Sequence, residues 1–201
     1  MIKFKSSLPE VKKNFPIIPS KELKSEWIKA AAMSFKDAAK QNPAVTTGVA
    51  RCSGIREITS TGFILTSWFD FSIMTFDDPI AFQYSVPIQN QYSFDLIKWF
   101  SNDVLQVKTP LPANSLQSLI KITTPWTVEL PDDWSLLIIP IPYPDQPEFE
   151  STIGILKGPG TYEINPIIKI HRKPGLLEIS AGTPLCQLIF LKNEICDVEI
   201  E

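Results

Sequence analysis

The stretch that most constrains this chain is Leu176-Leu177-Glu178-Ile179-Ser180-Ala181-Gly182-Thr183-Pro184-Leu185-Cys186-Gln187-Leu188-Ile189-Phe190. Two aliphatic runs flank a Ser-Ala-Gly-Thr-Pro segment, which reads as strand, tight turn, strand. Similar short apolar runs fill the sequence before it, separated by proline. Prolines outnumber glycines 18 to 8. Proline fixes φ and cannot donate to a strand ladder, so this usage implies rigid loops that bound strands. With 201 residues, 44% of them hydrophobic, the chain is long enough to bury a sizeable core. The expected fold is therefore all-β, mainly strands with one or two short helices. A sandwich, a jelly roll or a β-clip-like barrel would each fit.

Residues 1–42 read as an N-terminal extended arm followed by a helix, and residues 43–201 as a single β-domain. The arm, over residues 1–19, ends at Pro16 and Pro19. Ser20 reads as an N-cap, with Leu23, Trp27, Ile28, Ala31 and Phe35 at helical spacing and an end before Pro43. Ser53 reads as the cap of one short turn. Three strand-like runs follow, over 61–68, 70–76 and 80–86, with loops short enough for an antiparallel meander. A second helix is expected over Phe94–Phe100. Strands then resume near 103–109, 117–122, 125–130, 134–140, 151–156, 162–171, 176–180, 184–191 and 195–200. The proline-rich run Ile138–Pro144 should leave its sheet or lie on an edge, with apolar side chains available to another subunit.

Charge and cysteine content exclude several classes. A net charge of -3 is wrong for a non-specific nucleic-acid binder, which needs a basic field. Cys52, Cys186 and Cys196 make no zinc-type pair and leave an odd count, so reduced, mostly buried thiols are expected. No apolar run follows Lys3 and Lys5, and no stretch approaches the ~18 apolar residues of a membrane helix. A non-membrane protein without a signal peptide is expected.

The search for chemistry yields residues but no motif. His171 is the only histidine, too few for an imidazole-based metal centre, so no metal and no cofactor is expected. The alternation Ile168-Lys169-Ile170-His171 puts the isoleucines on one face and Lys169 with His171 on the other. Trp126 and Trp134 flank an acidic turn from Glu129 to Asp133, a platform suited to a sugar or a cation. Gly158-Pro159-Gly160 lacks the Lys-Ser/Thr of a phosphate loop. No catalytic residue is assigned. The ligand-binding candidates are Arg51, Arg56, Trp126, Glu129, Trp134 and His171.

Residues Gly154-Ile155-Leu156, Ile164-Asn165-Pro166 and Pro174 to Phe190, with Gly182 and Cys186-Gln187-Leu188 as the closing element, resemble the distal half of the trimeric dUTPase and dCTP-deaminase superfamily. That resemblance implies a trimeric β-clip body. The family's Asp-containing hairpin motif, with tyrosine, arginine and glycine shortly after, is missing around Asn165-Pro166-Ile167, so no catalytic residue carries over. A second resemblance rests on Cys52-Ser53-Gly54-Ile55-Arg56, Gly62 to Trp68, Thr124-Pro125-Trp126-Thr127 and Gly182-Thr183-Pro184-Leu185. These pieces are similar to uncharacterised proteins of tailed phages, especially those of marine bacteria. The likeness implies a phage source, with the host cytoplasm or the virion as location.

The expected function is a non-enzymatic β-domain protein, a virion accessory or protein-interaction factor, with a homo-oligomer or another phage or host protein as partner. The alternative is a deoxynucleotide-binding or nucleotide-hydrolysing enzyme with a remodelled site, using Arg51, Arg56, Glu129 and His171.

Overall fold

The computed structural model describes residues 1–23, 25–42, 44, 48, 51–101, 115–171 and 174–194. The strands expected at 103–109 and 195–200, and Cys196, lie outside the described residues. In chain order come β1 (Lys3–Ser6), α1 (Pro9–Asn14), β2 (Ile18–Pro19), a 3-10 turn (Ser20–Glu22), α2 (Glu26–Gln41), α3 (Ser53–Ser60), β3 (Phe63–Thr66), β4 (Phe71–Thr75) and β5 (Phe82–Ser85). Then follow β6 (Ile97–Ser101), β7 (Ser118–Ile122), β8 (Trp126–Leu130), β9 (Trp134–Ile139), β10 (Phe149–Ser151), β11 (Gly154–Lys157), β12 (Gly160–Glu163), β13 (Ile167–Ile170), β14 (Gly175–Ile179) and β15 (Pro184–Lys192).

The all-β expectation is corrected. The fold is mixed α/β, with three α-helices among the described residues and four open sheets. Their strand orders are β1-β8-β12, β10-β13-β7-β6, β11-β9-β15-β3-β2 and β14-β4-β5. Each sheet keeps two edges, so no sheet closes into a barrel, and four separate sheets do not make a clean sandwich or jelly roll. The helical content comes from Glu26–Gln41, an alanine-rich segment with strong helix propensity and no internal glycine or proline. Its cap is Ser25, whose Oγ accepts from the Ile28 amide, because Ser20 opens the 3-10 turn instead. The helix expected at Phe94–Phe100 is also corrected: Ile97–Ser101 is β6, paired in register with β7 from Ile97↔Ile122 to Ser101↔Ser118. Aromatic residues such as Trp99 and Phe100 lose little on a pleated strand and lose χ1 freedom in a helix.

The sheets are joined by ribbons that turn corners. The pair β3–β4 runs antiparallel to β14–β15, with β3 on β15 and β4 on β14. The run Leu176 to Phe190 is therefore not a hairpin. Its two strands pair with different partners in different sheets. The corner is held by Ser67 N to Thr183 O at 2.8 Å, Gly182 N to Ser67 O at 2.7 Å and Ala181 N to Asp70 Oδ1 at 2.7 Å. Gly182 has φ 91°, the left-handed region that glycine enters without a Cβ penalty. A second ribbon, β8–β9 against β12–β11, bends where Gly158 lies beneath Pro131, and a Cβ there would sit 1.9 Å from the Pro131 carbonyl oxygen. A third corner joins β7–β8 to β12–β13. Thr124 takes part twice, its amide donating to Asn165 Oδ1 and its hydroxyl to the Ile164 carbonyl.

The core fills the space between the sheets. Ile120, Ile122, Ile168 and Ile170 lie on one face of β7 and β13, fully buried, with Val128, Leu136, Leu188 and Ile73. Residues 1–19 pack on this body: β1 pairs with β8 from Lys3↔Glu129 to Ser6↔Trp126, and Val11 of α1 is buried in the core. Helix α3 is fastened to the five-stranded sheet by Gln187, whose buried amide donates to the Ile58 carbonyl at 2.7 Å and to the Thr61 carbonyl. No described helix is long and apolar enough to cross a membrane.

Candidate functional site

One concavity has a volume of about 430 Å³. Ligand cavities commonly measure roughly 300–1,000 Å³. It opens where the four-stranded and five-stranded sheets meet. Its walls come from the loop after β9 (Pro140, Ile141, Tyr143 to Pro147), from Phe149 and Glu150 of β10, and from His171 just after β13. Thr183, Pro184 and Leu185 at the start of β15, with Leu23 and Ser25 before α2, complete it. The expected departure of the chain from its sheet at Pro140 is what builds this wall: β9 ends at Ile139, and the prolines that follow hold the loop away from the ladder. A register shift between Pro184 and Cys186 places Leu185 at the opposite wall.

Asp145, Glu150 and His171 of the cavity wall are each held by partners. Asp145 reaches across to the start of α2. Its Oδ1 accepts from Ser25 Oγ and the Trp27 amide, both at 3.0 Å, and its Oδ2 from the Glu26 amide at 3.1 Å. Burial pushes this carboxyl up, but the amides of Trp27 and Glu26, the Ser25 hydroxyl and the charge of Lys29 outweigh it. The carboxyl sits below the ordinary aspartate value. One residue pair away, Tyr143 stacks on Trp27 with ring centroids 4.3 Å apart. Together these contacts fasten α2 to the rim of the cavity.

On the far wall His171 sits between two partners. Its Nδ1 lies 3.2 Å from Ser115 Oγ and its Nε2 3.4 Å from Glu150 Oε1. Glu150 Oε1 also accepts from Lys169 Nζ at 3.1 Å. Serine, imidazole and carboxylate in a row suggest a relay, but Ser115 is fully buried and does not line the cavity. Its hydroxyl orients the imidazole and does not face a substrate.

The other residues singled out in the sequence are scattered. Arg51 lies with its guanidinium carbon 5.1 Å from the centre of the Phe35 ring of α2. Arg56 is exposed on α3, and neither arginine lines the cavity. Trp126 is buried in the core on the inward face of β8, whereas Glu129 points outward. Strand alternation thus separates them, and Trp134 is half-buried on β9. Glu129 is bonded to Lys5 at 2.7 Å, and that hydrogen bond and charge hold its carboxyl below the ordinary glutamate value. Of the six candidates, only His171 reaches the cavity.

No protein-family model and no curated protein matches this chain. The cavity geometry therefore carries the functional argument. Sequence reading missed Glu150, Asp145, Tyr143 and Ser115, which come from three separate segments. The signal within reach is the proline-rich loop itself, whose apolar residues line the cavity. Of the two described thiols, Cys186 is buried, which pushes its pKa up, and Cys52 is exposed.

Proposed function

We propose that this chain is a non-enzymatic interaction protein that holds an apolar ligand, or an apolar segment of a partner, in the cavity under the 140–150 loop. The observation that carries this reading is the cavity wall: Ile141, Tyr143, Phe149, Leu185 and four prolines, with one buried serine withheld from it. Apolar walls with a few fixed polar points are the usual make-up of binding cavities. The phage resemblance sets this role in a virion accessory or host-interaction factor, with a second copy or another phage or host protein as partner. A deoxynucleotide reading gains no support from the cavity, since the described lining carries Asp145 and Glu150 and no lysine or arginine. Phosphate recognition calls for those cations.

The test is titration with 1-hexanol, followed by nuclear magnetic resonance. Saturable shifts confined to Ile141, Phe149 and Leu185, abolished by Ile141→Trp, are expected. Absence of any saturable shift at these residues in the folded protein would overturn the reading.

A further inference from the structure

Resting on that reading, we infer that the cavity selects ligands whose apolar body carries a protonated amine, and that Glu150 is the residue that recognises it. Among the described residues, four ionisable side chains line the cavity: Tyr143, whose ring stacks on Trp27, and Asp145, Glu150 and His171. Asp145 has both oxygens committed to the α2 terminus. Both ring nitrogens of His171 are likewise engaged, by Ser115 and Glu150. Glu150 uses only Oε1, for Lys169 and His171, so Oε2 is the carboxylate oxygen left to accept a ligand's hydrogen bond. Its side chain is 37% exposed, enough to be reached from the cavity.

The charge balance points the same way. Lys169 neutralises Glu150 from one side, through an ion pair in which both side chains are partly exposed and therefore weakly held. An anionic ligand would meet two carboxylates at close range. An alcohol would gain one neutral hydrogen bond. An ammonium group would gain a charge-assisted one, the stronger kind. The same chemistry is offered by a free alkylamine and by a lysine side chain presented on a peptide.

The experiment compares hexylammonium, 1-hexanol and hexanoate binding to the full chain at neutral pH, by calorimetry and by shifts of cavity resonances. Hexylammonium should bind roughly fivefold more tightly than hexanol, a size typical of a partly exposed ion pair, and hexanoate more weakly than either. Glu150→Gln should erase the preference for ammonium over hexanol. Because Glu150 lies on a short strand, Lys169→Met serves as a second variant. It frees the carboxylate and should raise ammonium affinity about twofold while sparing hexanol. Equal binding of all three probes overturns the charge selection and leaves the binding function standing. Binding of none overturns the binding function itself. A capped Gly-Lys-Gly peptide then separates the sources. Its competition with hexylammonium supports a lysine-bearing partner, and failure to compete supports a free amine.

Discussion

Strands β7 and β13 and helix α2 place their apolar residues in opposite circumstances. Ile120 and Ile168, in register across β7 and β13, are fully buried, as are Ile122 and Ile170 beside them. Helix α2 is sixteen residues long and amphipathic, yet none of its residues is fully buried. Trp27, Ile28, Ala31, Ala32 and Phe35 are only half-covered. The strands are held by dense packing, in which each side chain loses water on all sides. The helix is held at its first turn, by Asp145 and by the Tyr143–Trp27 stack. Packing-based stability is distributed and tolerates little change of volume, whereas an end-anchored element depends on a few polar contacts.

The widest separation should come from Ile168→Ala. Removing a fully buried aliphatic side chain costs about 2–5 kcal/mol, so the whole molecule should lose that much in denaturant unfolding. A change below about 1 kcal/mol would mean that the body is less tightly packed than its burial implies. Gly62→Ala comes next. A Cβ there would lie 2.1 Å from the Leu188 carbonyl oxygen at a φ of 76°, and overpacking of this kind costs at least about 1–3 kcal/mol. The drop should appear in the global melting temperature, because the clash pushes β15 away from the loop before β3.

Asp145→Asn should act on the helix and spare the body. Amide exchange of α2 is expected to speed up severalfold, with the global midpoint shifted by less than about 1 kcal/mol. Acidification should do the same in the wild-type chain. The folded carboxyl lies below its unfolded value, so its contribution is present above the unfolded pKa and disappears as pH falls through the folded one. Glu26 and Trp27 amide resonances should hold steady from pH 7 to 5 and move only below about 4. Movement already near pH 6 would mean that a group other than Asp145 governs the helix terminus. The smallest effect is chemical. In a Cys196→Ser background, a thiol reagent should label exposed Cys52 rapidly and buried Cys186 only after unfolding, as mass spectrometry would reveal. Labelling of both at equal rates would place the body's opening on the same footing as the helices.

Most strands were readable because alternation and punctuation are local. The alternation of Trp126-Thr127-Val128-Glu129-Leu130 reappears as a buried, half-buried pattern on β8. The prolines and glycines fall at Pro131, Gly158, Pro166 and Gly182, where ribbons turn. What was not readable was pairing. The same alternation suits a hairpin and a strand that crosses between sheets, and the choice depends on contacts such as Ser67 with Thr183, which are 116 positions apart along the chain. The helices were undercounted for a related reason. α3 owes its anchor to Gln187, a residue whose own neighbourhood reads only as strand.

The candidate site was legible in one residue, His171. Alternation along 168–171 correctly separates it from the buried isoleucines. The sequence by itself determined most of the strand segments, the amphipathic character of α2 and the exit of the proline-rich run from its sheet after Ile139, because each follows from residues within a few positions of one another. Tertiary structure alone decided that the sheets stay open, that Leu176 to Phe190 spans two of them, and that Asp145, Glu150, His171 and Leu185 surround one cavity. Those outcomes depend on long-range pairing, where many registers satisfy the local pattern and only simultaneous burial of the core selects one.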